Sequence, residues 1–321
     1  VGLALLAVVA LAVLGARTAV HPHEIAAAFA DVSPAWLAAA AAAYALGQLA
    51  SGLCWHRCLC EAGLRLPAGQ TMIAYWAGRG LGELLPGQLG EGVKLAALRR
   101  HPEAARAGWM RTAGSLAAFK VVEAAATFVV VSLVVASAAP GPLAGLRWVA
   151  VGALVAAVAA VPALRHEPIR RRLPRLPAAV RRRTGGLAEG GRLLRRPGAA
   201  VGAGALAMVS VASRLVFLLA LLAAFGITVQ AAPMVFCLVM IASMLPVMPG
   251  GLGVREAAMV PALVGAYGLA FENGLAFSLG VQATVLGVCL LGGLAALAGM
   301  LILRPGAVAC ALEGDEEDPA V

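Results

Sequence analysis

Charge is scarce in this chain of 321 residues: 13% of its residues are Asp, Glu, Lys or Arg, against about 25% in a soluble domain. That scarcity leaves no room for a soluble catalytic domain. Catalytic signatures are missing too. The sequence has no H-E-x-x-H, no G-x-S-x-G and no P-loop. His21 and His23 form a loop pair without a third ligand, and His56, His101 and His166 are scattered beside arginines, so no metal or cofactor is expected. The six cysteines form no disulfide framework. Cys54, Cys58 and Cys60 cluster with His56, but C-x3-C-x-C is not a zinc spacing, and the expected reading is buried or interfacial thiols. The chain starts at Val1 without the basic region of a signal peptide, and its first apolar run ends at Arg17, short for a span.

What fills the sequence is apolar. Hydrophobic residues make up 61% and mean hydropathy is +0.89. The apolar mass is Ala, Leu, Val and Gly, which suits close helix packing in lipid. A membrane span needs roughly 20 apolar residues. On that measure we expect an all-α integral membrane protein with about six transmembrane helices, at 1–16, 35–56, 113–139, 147–164, 199–225 and 275–303. They form one polytopic domain over 1–306, with repeat halves 1–139 and 147–303, a basic loop at 165–197 and an acidic tail at 307–321.

The net charge of +9 is local. Eleven arginines lie from Arg165 to Arg196, against Glu167 and Glu189. Spans flank this run, so positive charge held on the cytoplasmic side explains it better than nucleic-acid binding, with contact to anionic headgroups as a secondary role. The same rule puts Arg57, Arg65, Arg79, Lys94, Arg99, Arg100, Arg106 and Arg111, and later Arg304, on the cytoplasmic face. The expected location is a bacterial inner membrane, with both ends of the chain cytoplasmic.

Two apolar regions fail as simple spans. Residues 66–100 contain GRGLGELLPGQLGEGVKLAALRR, and residues 232–268 contain LPVMPGGLGVREAAMVPALVGAYG. Each has an apolar arm, a Pro/Gly break and a second arm. The arm at 234–245 reaches only about 18 Å as a helix, short of a full crossing. Irregular backbone at membrane depth is tolerated only inside protein or beside a water-filled cavity. Both regions therefore read as re-entrant hairpins. Pro86, Gly87 and Gly90 in the first break match Pro249, Gly250, Gly251 and Gly253 in the second, and an acid and a base follow each. Two spans, a hairpin and one span in each half, with hairpins entering from opposite faces, form an inverted-topology repeat.

Ionisable residues at membrane depth are costly and mark function by default. Arg79, Glu91 and Lys94 belong to the first hairpin, and Arg255 and Glu256 open the second arm of the other. A glycine-rich break exposes backbone N–H groups that attract anions. Lys94 and Arg255 add positive charge and Arg79 offers a bidentate fork, a set suited to phosphate. The acids either pair with these bases or receive the amine of a zwitterionic or cationic headgroup. Lys120 and Glu123, one turn apart, have two readings: a self-neutralising pair or part of the ligand site. For Arg214 the expectation is a pairing with a helix end or a hairpin carbonyl. Glu83, Arg99 and Arg100 are expected to anchor the chain at the interface.

The two motifs LGELLPGQLGEGVKLAALRR and MPGGLGVREAAMVPAL resemble those of the flippase-like membrane domain of lysylphosphatidylglycerol synthases. The resemblance covers nearly the whole chain. It implies lipid translocation, with two re-entrant hairpins meeting near the membrane centre. It assigns site roles to Arg79, Pro86, Gly87, Gly90 and Glu91, and to Pro249, Gly250, Gly251, Gly253, Arg255 and Glu256. The two-part synthases continue into a soluble aminoacyl transfer domain where this chain has its acidic tail. The expectation is therefore a non-enzymatic, stand-alone member that does not itself make aminoacylated lipid.

The leading expectation is a flippase-like transporter for a phospholipid or other phosphate-bearing lipid. The alternatives are a membrane enzyme acting on a lipid phosphate or polyprenyl-phosphate substrate, with Glu91 or Glu256 as base, and an accessory lipid-binding subunit of such an enzyme. Membrane lipids are the expected partners. A homo-oligomer or a lipid-synthesis enzyme partner stays open.

Overall fold

A backbone in lipid must satisfy its own hydrogen bonds, which over long apolar runs favours helices. The computed structural model describes residues 22–85, 89–137, 189–243 and 253–302, and no strand occurs among them. In chain order the helices are α1 (Pro22–Ala30), α2 (Pro34–Glu61), α3 (Ala68–Leu84), α4 (Leu89–Leu98), α5 (Pro102–Ala107) and α6 (Trp109–Ser137). After a 3-10 turn at Gly191–Arg195 come α7 (Pro197–Ala224), α8 (Ala232–Ser243), α9 (Val254–Tyr267) and α10 (Phe271–Ile302).

Among the described residues four helices are long and apolar enough to cross a membrane: Pro34–Glu61, Trp109–Ala136, Pro197–Ala224 and Phe271–Gly299. A helix of 28 residues is about 42 Å long, more than the ~30 Å of hydrocarbon it must cross. The protein is thus a multi-pass membrane protein. These helices take the places of the expected spans 35–56, 113–139, 199–225 and 275–303. Pro34 and Pro197 stand in the first turn, where a missing N–H costs nothing, and define two of the starts. The expected spans 1–16 and 147–164, the arginine run up to 188 and the tail 307–321 lie outside the described residues.

Between the long helices lie two pairs of short ones, α3 with α4 and α8 with α9, at the regions expected to be hairpins. The breaks at 86–88 and 244–252, with Pro86, Gly87, Pro249, Gly250 and Gly251, lie outside the described residues. Two expectations shift. The arm placed at 234–245 is the helix Ala232–Ser243. Gly90, assigned to the break, is helical in the first turn of α4. Its lack of a side chain serves packing: a Cβ there would lie 2.6 Å from the Gly78 carbonyl oxygen and 2.6 Å from Gly82 Cα. Only a bare glycine lets α3 and α4 approach so closely.

Small residues also hold the long helices together, as expected where lipid supplies no hydrophobic drive between helices. On the α2–α7 seam, a Cβ on Gly47 would sit 3.1 Å from the Ser210 carbonyl, and Cys54 Sγ donates to the Ala203 carbonyl at 3.3 Å. A Cβ on Gly80 would sit 3.1 Å from Gly293 Cα, so α3 lies directly on α10. The order span, short-helix pair, span therefore occurs twice among the described residues. α3 rests on α10 and α8 touches α6, so each pair contacts the closing span of the other half.

Candidate functional site

The α2–α7 seam carries polar residues on one stripe. Tyr44, Gln48 and Ser51 recur at helical spacing on α2 and are all buried. Tyr75, Arg79 and Glu83 recur in the same way on α3, each four residues from the next, with Tyr75 and Glu83 buried and Arg79 half-buried. The two stripes join where Tyr75 Oη donates to Gln48 Oε1 at 2.9 Å and Arg79 Nη2 donates to Tyr44 Oη at 2.9 Å. With its oxygen accepting from Arg79, the Tyr44 hydroxyl is free to donate to Cys289 Sγ on α10, 3.7 Å away.

Around these stripes the charged residues form two sets of ion pairs, Arg79 with Glu83 and a longer chain from Lys94 to Arg214, which meet at the Tyr75 ring. Arg79 Nη2 lies 3.0 Å from Glu83 Oε1. Glu91 on α4 takes Lys94 on both oxygens, at 3.0 and 3.1 Å, and Lys120 from α6 at 3.0 Å. Lys120 also faces Glu123 Oε2 at 3.5 Å. Glu123 Oε1 accepts from Arg214 on α7 and from Ser51 at 3.4 Å. Since Ser51 donates there, Ser210 is the donor in the 2.7 Å Ser51–Ser210 contact. Lys94 is 2% exposed, and its ammonium lies 4.7 Å from the centre of the Tyr75 ring, a cation–π contact that helps to hold a desolvated charge.

Five residues singled out in the sequence thus meet in one cluster: Arg79, Glu91, Lys94, Lys120 and Glu123. Two others are corrected into it. Glu83 is 8% exposed and paired with Arg79 instead of anchoring at the interface. Arg214 takes the Glu123 carboxylate instead of a helix end or carbonyl. Of the two readings of Lys120 and Glu123, the pair is present, and each member also holds a second partner, Glu91 and Arg214. Tyr44, Gln48, Ser51 and Ser210 were not singled out, although the i, i+4, i+7 recurrence of Tyr44, Gln48 and Ser51 in an apolar run was a visible signal.

The second motif stands apart. Arg255 Nη1 donates to Gln282 Oε1 on α10 at 2.7 Å. Glu256 is 3% exposed and accepts from the Gly253 backbone N–H at 2.6 Å, closing the first turn of α9 as a capping carboxylate does. Gly253 has φ +81°, a left-handed conformation that favours glycine. Among the described residues no hydrogen bond or ion pair joins Arg255 or Glu256 to the first cluster. The link runs through α10, where Gln282 and Cys289 lie on one face about 10 Å apart.

The cysteine group has a structural account. Cys54 and Cys58 are buried, and His56 Nδ1 meets Thr71 Oγ1 at 3.1 Å, tying α2 to α3. Among the described residues no three His, Cys, Asp or Glu side chains are grouped to hold a metal.

Spans of this order, two broken-helix motifs and charge inside the bundle agree with a comparison against protein families. The model of the lysylphosphatidylglycerol synthase transmembrane region matches residues 1–293. The chain belongs to that family. The match takes in both motifs and every residue of the ion-pair cluster, and it makes a lipid-related membrane function the setting for the site. No curated protein matches the chain.

Proposed function

We propose that this member of the family moves a phosphate-bearing lipid from one leaflet to the other and leaves it chemically unchanged. The observation that carries the reading is the ion-pair cluster itself. Seven charged side chains from α3, α4, α6 and α7 sit among membrane-crossing helices. Each charge at the bilayer centre costs about 2.5–3.5 kcal/mol on insertion scales. Apolar residues of similar size would pack such a bundle at less cost, so the cluster points to a polar cargo. In this reading the headgroup passes through the polar interior while its tails stay in the bilayer.

The proposal includes a topology: six spans, two re-entrant hairpins entering from opposite faces, and both ends cytoplasmic in a bacterial inner membrane. The contact of each short-helix pair with the closing span of the other half supports an inverted repeat, in which one half rocks against the other. Glu91 and Glu256 are poorly placed as catalytic bases. The first is held between two ammonium groups and the second caps a helix.

The test is movement of headgroup-labelled lipid in vesicles holding purified protein, followed by mass analysis of the recovered lipid. We expect wild-type protein to speed movement, Arg79→Gln and Arg255→Gln to return it to the protein-free rate, and lipid mass to stay constant. Normal transport by both variants would sink the proposal, and a changed lipid mass would make the protein an enzyme.

A further inference from the structure

The charges of the cluster do not balance. Among the described residues four cations, Arg79, Lys94, Lys120 and Arg214, face three carboxylates, Glu83, Glu91 and Glu123. One positive charge is in surplus.

How the groups are used matters more than the count. Both oxygens of Glu91 are taken by Lys94, and one of them also by Lys120. Both oxygens of Glu123 are engaged, one by Arg214 and Ser51 and the other by Lys120. Glu83 is held by Arg79 and its side chain is only 6% exposed. The carboxylates therefore leave little capacity for an incoming ammonium. Glu256 keeps one unpartnered oxygen, but it is buried at the start of α9, away from the cluster.

The cations have capacity left. Lys120 has the most open side chain of the seven, 46% exposed, and an ammonium carries three donors. Arg79 keeps a buried Nε–H that no acceptor meets among the described residues, the kind of unsatisfied donor that an anionic oxygen would relieve. Lys94 over the Tyr75 ring joins the two ends of the cluster, because Tyr75 and Arg79 follow one another on the same face of α3.

We infer that the cluster selects an anion: a phosphate ester headgroup without an amine, such as that of phosphatidylglycerol, over aminoacylated or zwitterionic headgroups. An ammonium on the headgroup would approach surplus positive charge and find the nearby carboxylates occupied. Lys120 makes the first contact, since an anion reaching it shares an ammonium that now bridges Glu91 and Glu123. The inference rests on the transport reading only for the source of the anion, a lipid instead of a free phosphate ester.

The test is binding, titrated into detergent-purified protein with four probes: phosphatidylglycerol, lysylphosphatidylglycerol, phosphatidylethanolamine and tail-free glycerol 1-phosphate. Phosphatidylglycerol should bind about tenfold more tightly than either amine-bearing lipid, from the charge difference alone. Lys120→Gln should remove most of that preference and Lys120→Arg should keep it; Lys120 is open enough for both to fold, which a melting curve checks. Equal or tighter binding of lysylphosphatidylglycerol overturns the inference, as does no binding by any probe or an unchanged preference in Lys120→Gln. If glycerol 1-phosphate binds as well as the lipid, anion selection stands and the source is a soluble ester. The same lipids in the vesicle assay separate the two ideas. Selective binding without movement removes transport alone, whereas movement and binding both indifferent to headgroup charge remove anion selection alone.

Discussion

Glu123 is the residue on which the cluster turns. It takes Arg214 from α7, Lys120 from its own helix and Ser51 from α2. Removing one partner of a buried ion pair leaves the other charge uncompensated, a loss of about 3 kcal/mol or more. Glu123→Gln should therefore lower the melting temperature in detergent. The double change Glu123→Gln with Arg214→Gln should recover part of the loss, giving a coupling of about 1–3 kcal/mol; strictly additive losses would show that the pair does not matter. The sequence made Lys120 and Glu123 visible as a one-turn pair, because helical spacing can be read along a single segment. It could not bring in Arg214, which lies 91 positions further on. Only the seam between α2, α6 and α7 joins them.

At the scale of elements, the pair α3 and α4 depends on bare backbone. Gly78, Gly82 and Gly90 line the contact, whereas Gly92, two residues further and so on the far side of α4, has nothing within 4 Å of a built Cβ. Gly90→Ala must push the arms apart and should cost about 1–3 kcal/mol, as overpacking does elsewhere. Gly92→Ala should be neutral or stabilise by up to about 1 kcal/mol, because alanine is the better helix former. Thermal unfolding of the two variants side by side checks this, and equal effects would mean that the arms do not meet at Gly90. The Pro/Gly-rich composition signals a break in each motif. It does not separate a glycine that turns the chain, such as Gly253, from one that admits a neighbouring helix, such as Gly90, since either needs only a missing side chain.

For the whole molecule, the distribution of arginine predicts which face is cytoplasmic. In a cysteine-free background, Arg182→Cys should react with a membrane-impermeant thiol reagent only in inverted vesicles, and Gly141→Cys only in right-side-out ones. The reverse pattern would invert the topology and with it the side from which each hairpin enters. Two arginines mark a polar boundary at one end of the bundle. Arg111 Nε donates to the Ala62 carbonyl at 2.6 Å and Arg196 reaches Glu61 at 3.1 Å, joining α2, α6 and the start of α7.

The sequence by itself determined the membrane class, the four long helices, the place of the two interrupted motifs and five of the charged residues that meet. Run length, charge spacing and Pro/Gly breaks are local properties, and in lipid they decide secondary structure because the backbone has few other ways to satisfy itself. Only the tertiary structure decided which charges meet. It buried Glu83 against Arg79, took Arg214 from the helix ends to Glu123, and set Arg255 on Gln282 away from the cluster. Ion pairs form across helix seams, and those seams are set by small residues such as Gly47, Gly80 and Gly293, whose packing depends on the shape of a partner helix far along the chain.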